Sequence, residues 1–321
     1  MKSVTAVAPV NIALIKYWGK SDEIEVLPYN PSISLSMADL YTKTTLKKGD
    51  QSGIFFYLDG VLQNDFEHQK VITFLKRFKG FHQAKSLIID SYNHVPTAAG
   101  FASSASGFAA LAVAANAYFE THYDLDTLAL ITKQGSGSAT RSLLGGAVLW
   151  DTSGRISQLD ASLESYEMIF VVISDKAKSV SSRKAMQHTV KTSSLYEHWV
   201  KQAHADSKDM ISALSANKFH IIGNIMEQNA KLMHATMLCA NPPMTYMHPL
   251  SLKVWDIVSQ ARQKGIEAYA TMDAGPNVKI LVHQSNTQKM IQQLLSHGFN
   301  QYFLSRIDFK GAVLIHEHKS L

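Results

Sequence analysis

The order of apolar and polar positions gives the two halves of the chain different characters. Residues 4–16 carry Val, Ala, Ile and Leu broken by polar positions and predict a strand. Residues 32–36 alternate strictly (Ser-Ile-Ser-Leu-Ser) and 54–58 are apolar and aromatic, so both predict strands as well. Phe66, Val71, Phe74, Leu75 and Phe78 recur at roughly helical spacing over 66–78, and residues 86–90 form a short β-branched run. From Ser103 to Glu120 the chain is alanine-rich and apolar all round, which predicts a buried helix. Asp126 is the candidate N-cap of a helix ending near Gln134, with Gly135 as its stop, and Gly145-Gly146 breaks the chain before a strand over 147–150. A strand over 167–173 follows. Residues 181–234 then read as mostly helical, and strand signals return at 267–272, 278–283 and 311–316. The change in character predicts two domains, an α/β unit over 1–180 and an α+β unit over 181–321.

Composition narrows the class. A chain of 321 residues exceeds the roughly 150 residues of one typical domain, and 46% hydrophobic against 18% charged residues supplies a sizeable core. The longest strongly apolar run, Met168 to Ile173, is far short of the ~20 residues of a membrane span. Pro9 and Asn11 interrupt the N-terminal apolar stretch, which argues against a signal peptide. Cys239 is the only cysteine, so neither an intramolecular disulfide nor a cysteine-rich metal site is expected. A cytoplasmic protein with no membrane partner fits best. The net charge of +5 is spread along the chain without a nucleic-acid module, so no nucleic-acid partner is expected. A basic cleft for a small anion and a solvated basic surface both remain open.

Two distant segments carry the most chemistry. Pro96 to Gly107 (PTAAGFASSASG) has the make-up of a phosphate cradle: Gly100 frees the backbone, Ser103, Ser104 and Ser106 offer hydroxyls, and a helix start adds unpaired N–H groups. A Ser/Ala-rich N-cap on a packed helix is the plain alternative. Thr271 to Lys279 (TMDAGPNVK) delivers a lone carboxylate, Asp273, in a Gly/Pro turn. Gly19-Lys20-Ser21 mimics the end of a Walker A loop, but Leu14 stands where its first glycine is needed. In Asn11 to Lys20 (NIALIKYWGK), Lys16 lies at a strand end beside Tyr17 and Trp18, and a partly buried lysine there must answer an anion or shift its pKa. Ser136, Ser138 and Arg141 set hydroxyls and a guanidinium near a helix start, a suitable carboxylate site. Ser181-Ser182-Arg183, between a strand and a helix, is a weaker phosphate candidate. His234 reads as a satisfied helix histidine. His316-Glu-His318 lacks metal-site geometry, so no metal ligands are assigned.

Taken together, NIALIKYWGK (11–20), LPYNPSIS (27–34), VPTAAGFASSAS (95–106), GSGSATRSLLGG (135–146) and TMDAGPNVKI (271–280) closely resemble segments of the diphosphomevalonate decarboxylases, members of the GHMP kinase superfamily. The resemblance implies a two-domain α+β fold, with a ribosomal-protein-S5-like N-terminal domain, a left-handed βαβ crossover and the active site in the cleft between domains. It also implies homodimers, and ATP with Mg²⁺ acting on mevalonate 5-diphosphate to give isopentenyl diphosphate, ADP, phosphate and CO₂. Asp273 then matches the catalytic aspartate facing the 3-hydroxyl, Lys16 the lysine paired with it, and Arg141 the arginine holding the substrate carboxylate beside Ser136 and Ser138. Tyr17, Lys20, Ser182 and Arg183 match diphosphate contacts, Ser103 and Ser104 the loop around the ATP phosphates, and Ser91 and Asn93 the adenosine pocket. Ser181 departs from relatives that carry proline there. A monophosphate decarboxylase, a kinase that stops at the 3-phosphate and a catalytically dead binding module are the competing readings.

Overall fold

Continuous burial of the first strand sets the architecture, because a strand apolar on both faces must be covered on both. A computed structural model describes residues 3–64, 66–94, 104–175 and 180–318, the side chains of 316–318 excepted. The chain opens with β1 (Ser3–Ile15), the small hairpin β2 (Lys20–Asp22) and β3 (Leu27–Pro28), then β4 (Ser32–Lys47), β5 (Gly53–Leu58) and β6 (Val61–Leu62). Helix α1 (Phe66–Leu75), β7 (Ser86–His94), α2 (Ser104–Tyr118), α3 (Leu125–Gly135), β8 (Ala147–Trp150), β9 (Ile156–Leu159) and β10 (Tyr166–Val171) follow. The remainder runs α4 (Ser182–Thr192), α5 (Tyr196–Ser215), α6 (Phe219–Leu238), α7 (Pro249–Gln263), β11 (Ala268–Met272), β12 (Val278–His283), α8 (Thr287–Ser296), β13 (Tyr302–Arg306) and β14 (Val313–His318).

Two sheets result. The first is eight-stranded in the order β14-β1-β4-β7-β5-β6, with β8 pairing β4 and β9 pairing β8; β5 and β7 are its parallel pair. The second is antiparallel, β11-β12-β10-β13. Strand β10 precedes residue 180 yet belongs to the second sheet, while β14 from the chain's end returns to the first. A shared core fastens the sheets together: Val10, Ile12, Leu14 and Leu35 pack with Met168, Phe170, Ile222, Met226 and Leu281. Helices α7 and α8 cover the far face of the second sheet through Val254, Ile257, Val258, Met290 and Leu294. Both faces of β10 are thereby buried, which explains its unbroken apolar run.

The strand predictions at 4–16, 54–58, 147–150, 267–272 and 278–283 correspond to observed strands, and the apolar helix α2 is buried as expected. The strand expected at 32–36 continues to Lys47, since its later residues alternate between a buried and an exposed face. The cap of α3 is corrected. Asp124 is the N-cap, accepting from the Thr127 amide at 2.9 Å, whereas Asp126 lies in the first turn, where it complements the helix dipole. Strand β13 and the short strands β6 and β9 carried too few alternating residues to be anticipated.

Gly223 shows how tightly α6 meets the second sheet, because a Cβ there would fall within 2.0 Å of the Tyr269 ring. Gly223→Ala gains helix propensity of ~1 kcal/mol, but overpacking against a buried ring costs ~1–3 kcal/mol and backbone movement as well. The expected outcome is net destabilisation, read as a lower urea midpoint with an unchanged slope; a rise in the midpoint would mean that Tyr269 moves aside freely.

Candidate active site

The site begins where β1 leaves the sheet. Pairing with β4 slips by one residue between Ala13 and Ile15, a bulge that redirects the strand end. Lys16 follows, and buried polar groups hold its backbone: the Asn229 side chain accepts from its N–H at 2.9 Å, and Asn30 donates to its carbonyl at 2.9 Å. The Lys16 Nζ donates to the Ala13 carbonyl and to Asp273 Oδ1, each at 2.8 Å, with the lysine side chain only 2% exposed. Burial pulls this ammonium below its ordinary pKa, with Lys279 and Arg141 adding to the effect and Asp273 opposing it.

Asp273 comes from the opposite sheet, directly after β11, and its second oxygen Oδ2 meets Lys279 Nζ at 3.0 Å. Lys279 projects from β12, paired across from Thr271. The turn between these strands is anchored by Asn277, whose Oδ1 accepts from the amides of Ile173 at 2.7 Å and Ser174 at 3.0 Å. Although the surrounding protein works against its charge, the two ammonium groups hold the Asp273 carboxyl far below the usual range. Its side chain keeps 39% of its surface open, so a ligand can reach it. His234 on α6 lies in the same electrostatic field. Burial, Lys16 and Lys279 push its imidazole down to about 4, against weaker support from Asp273 and the Met272 backbone, and it is neutral at pH 7. The expectation of a satisfied helix histidine is corrected, since both ring nitrogens are buried without a well-formed hydrogen bond.

Arg141 lies in the 3₁₀ helix Gly137–Leu143, which follows directly on α3. Its guanidinium donates to Ser34 Oγ at 3.0 Å, Ser32 Oγ at 2.6 Å and Asn11 Oδ1 at 3.2 Å. All three partners are neutral, so its positive charge is oriented without being cancelled. Burial lowers it to about 10, which leaves it charged at neutral pH. Asn11 also donates to the Ser138 carbonyl at 3.0 Å and Ser142 Oγ at 2.8 Å, while the Ser136 and Ser138 hydroxyls stand 3.3 Å apart.

Tyr17 packs edge-on against Trp150 at 4.9 Å, and its hydroxyl is buried without a partner, a donor suited to an anion. Gly137 permits that approach, since a Cβ there would come within 3.0 Å of the hydroxyl. Lys20 begins β2 and pairs with Glu23 at 2.9 Å. Gly19 adopts a left-handed φ of 106°, and Tyr196 fills the space beside it while donating to the Trp18 carbonyl at 2.8 Å. Across from Lys20, Ser181 caps α4, placing Ser182 and Arg183 in the first helical turn.

Farther along the first sheet and its helices, Ser104 is exposed at the start of α2. Ser106 faces inward and shares a hydrogen bond of 2.7 Å with Thr42 Oγ1, while Ser91 shares one of 2.8 Å with Thr44 Oγ1. Asn93 is tied to both carboxylate oxygens of Asp59, at 2.7 and 3.0 Å. Gly100 and Ser103 lie outside the described residues.

A two-domain α+β fold that brings a lysine–aspartate pair within the field of a buried arginine is that of a GHMP-kinase-type small-molecule enzyme. The diphosphomevalonate decarboxylase-like N-terminal domain matches residues 8–163, and the mevalonate 5-diphosphate decarboxylase C-terminal domain matches residues 168–312. The chain belongs to the diphosphomevalonate decarboxylase family. The matched ranges meet just ahead of β10. Diphosphomevalonate decarboxylase of Candida albicans is 34% identical, the alignment covering 92% of this chain and 89% of that one. The mevalonate diphosphate decarboxylase of Staphylococcus aureus superposes with a TM-score of 0.93 at 38% identity, covering 98% of both chains. A structure in complex with MVAPP, AMPPCP and magnesium superposes with a TM-score of 0.91 at 40% identity, covering 98% of this chain and 99% of that one.

Sequence reasoning assigned no role to Lys279, Asn11, Ser32, Ser34 or Asn229. The first four lie within the family-like segments, and the strict alternation of 32–36, which puts Ser32 and Ser34 on one face, was the available signal. Asn229 has none, being 213 residues from the amide it serves. Since Asp273 titrates below its unfolded value of 3.8, its ion pairs add stability above about pH 4 and lose it as the pH falls through the folded value. Asp273→Asn should therefore be less stable than the parent chain at neutral pH, by a margin that narrows below about pH 4. Urea midpoints across pH test this, and a margin indifferent to pH would remove the carboxylate charge as its source.

Proposed function

We infer that this chain catalyses the ATP-dependent decarboxylation of mevalonate 5-diphosphate to isopentenyl diphosphate, with release of ADP, phosphate and CO₂. The observation that carries this is the accessible Asp273 carboxylate clamped by Lys16 and Lys279 while the nearby Arg141 keeps an uncancelled charge. Binding of MVAPP, AMPPCP and magnesium by a relative of 40% identity supports it. We propose as well that the chain works in the cytoplasm, as its composition suggests, that its two domains divide near residue 180, where the sequence changes character, and that it forms a homodimer, as the resemblance implies.

Arg141 would orient the substrate carboxylate with the guanidinium donors that Ser32, Ser34 and Asn11 leave unused. Tyr17, Lys20, Ser182 and Arg183 would hold the diphosphate. These contacts fix the tertiary 3-hydroxyl beside Asp273, in line with the γ-phosphate, where positioning supplies much of the rate. A carboxylate stabilised by two lysines is a weak base, so Asp273 accepts the hydroxyl's hydrogen bond first. It takes the proton late, once the forming P–O bond has made it acidic. As the 3-phosphate departs, the C1–C2 pair forms the C2=C3 double bond and CO₂ leaves; the negative Asp273 favours positive charge at C3. Among the described residues no cluster of acidic, histidine or cysteine side chains could hold a metal. Mg²⁺ would sit mainly on the nucleotide phosphates, and the exposed Ser104 hydroxyl fits the role of a protein ligand to it. When bound, Mg²⁺ offsets charge on the transferring phosphoryl group.

An assay with Mg²⁺, ATP and mevalonate diphosphate that follows ADP and CO₂ together tests the function, equal release being expected. ADP without CO₂ would leave a 3-kinase, and neither product would point to the monophosphate or to a binding module. Asp273→Asn should retain ATP binding and lose ~3 orders of magnitude in turnover, as when a positioned base is removed; near-normal turnover would take Asp273 out of the mechanism. Arg141→Lys, which loses the planar fork, should impair mevalonate diphosphate use far more than nucleotide binding. Unchanged substrate KM and kcat would refute its role.

A further inference from the structure

Lys20 and Glu23 raise a question that phosphate binding alone does not answer. The Lys20 side chain is only 6% exposed, and its ammonium is already occupied by Glu23 Oε2 at 2.9 Å. Glu23 Oε1 accepts from Gln187 Nε2 on α4 at 3.3 Å, so the carboxylate bridges the β2–β3 hairpin and the helix that carries Arg183. The hairpin turn is rigid, because Asp22 Oδ1 accepts from the amides of both Ile24 and Glu25 at 2.8 Å. Lys20, Arg183 and Lys191 line a cavity of about 170 Å³, and Glu23 is the one carboxylate in its wall. Burial opposes the Glu23 charge, but Lys20, Gln187 and Arg183 outweigh it and hold the carboxyl below its ordinary range.

We propose that Glu23 is an internal counter-ion that occupies the outer phosphate position of this anion site, so that substrate binding exchanges a carboxylate for a phosphate on Lys20. The proposal rests on the diphosphate reading given above and adds a specificity residue to it. In the free chain, Glu23 aims an almost buried ammonium and stands as its counter-ion, which water alone would do poorly. It also sets a threshold. A phosphate group near charge −2 displaces a singly charged carboxylate and gains the Lys20 and Arg183 contacts, whereas a ligand ending in one carboxylate gains nothing by the exchange. Glu23 is already half exposed while paired, so it can turn to solvent at little cost when displaced.

Inorganic pyrophosphate, titrated calorimetrically without nucleotide, separates this exchange from catalysis. Glu23→Gln keeps the shape and the Gln187 contact but removes the competing charge. It should bind pyrophosphate roughly two- to fivefold more tightly than the parent chain, the range for one partly exposed charge pair. Its affinity should also fall more steeply with salt, since one more mobile anion is released on binding. Equal or weaker binding by Glu23→Gln would overturn the proposal and make Glu23 a support for Lys20, with the anion site intact. No pyrophosphate binding by either protein would overturn it together with the diphosphate reading. Lys20→Met removes the main shared partner, so adding Glu23→Gln to that variant should raise pyrophosphate affinity less than it does in the parent chain, since only Arg183 still feels the Glu23 charge; an undiminished gain would overturn the exchange at Lys20.

Discussion

One carboxylate shared between two ammonium groups, each carried by a different sheet, is the constraint on which the site depends. Lys16 arrives just after β1 and Lys279 from the start of β12, and they reach opposite oxygens of Asp273 at 2.8 and 3.0 Å. None of the three would rest there alone, because an uncompensated charge in such surroundings costs several kcal/mol. The pairing therefore fixes the register of the two sheets as much as it lends stability. The apolar core that joins Ile12 and Leu14 to Phe170 and Leu281 supplies the attraction without specifying position, and the charges specify position.

The cations divide by partner. Lys16 and Lys279 share the single negative charge of Asp273, and Lys20 is paired with Glu23, so each is aimed by an internal anion. Arg141 is as deeply buried but is held by two serines and an asparagine. Neutral acceptors orient a guanidinium while leaving its charge for an incoming carboxylate. The difference suits the role proposed for Arg141, because an Arg paired to a protein carboxylate would have little attraction left for that of a substrate.

Much of this was legible in the sequence. Asp273 stood out as a lone carboxylate in a Gly/Pro turn, Lys16 as a lysine at a strand end, and Arg141 as a guanidinium among serines. Local chemistry advertised each, and the fold brought all three together. The other half of the site was not legible, because its signals are non-local. Asn229 is an ordinary helix residue until α6 lays it against the Lys16 amide, and Lys279 is an ordinary strand residue until β11 and β12 pair. His234 failed for the opposite reason: most helix histidines are satisfied, and only burial among three charged groups makes this one an exception. That β10 pairs in the second sheet was equally hidden, because sequence order does not disclose which sheet a strand joins.

The two lysines also limit what Asp273 can be. A base tuned for proton abstraction has a pKa near the working pH, and burial would have raised this carboxyl toward it. Two ammonium groups drive it the other way, which sacrifices basicity for a fixed and fully developed negative charge. Such a group is poorly matched to a step limited by removing a proton. It is well matched to a reaction whose later barrier is the build-up of positive charge at carbon, because preorganised charge needs no reorganisation when that moment arrives. Phosphoryl transfer tolerates a weak base, whereas loss of phosphate and CO₂ from a tertiary centre requires a strong field. On the proposed roles, Asp273 is therefore suited less to removing a proton than to facing a centre that turns positive, while Lys16 and Lys279 suit the negative charge of the transferring phosphate.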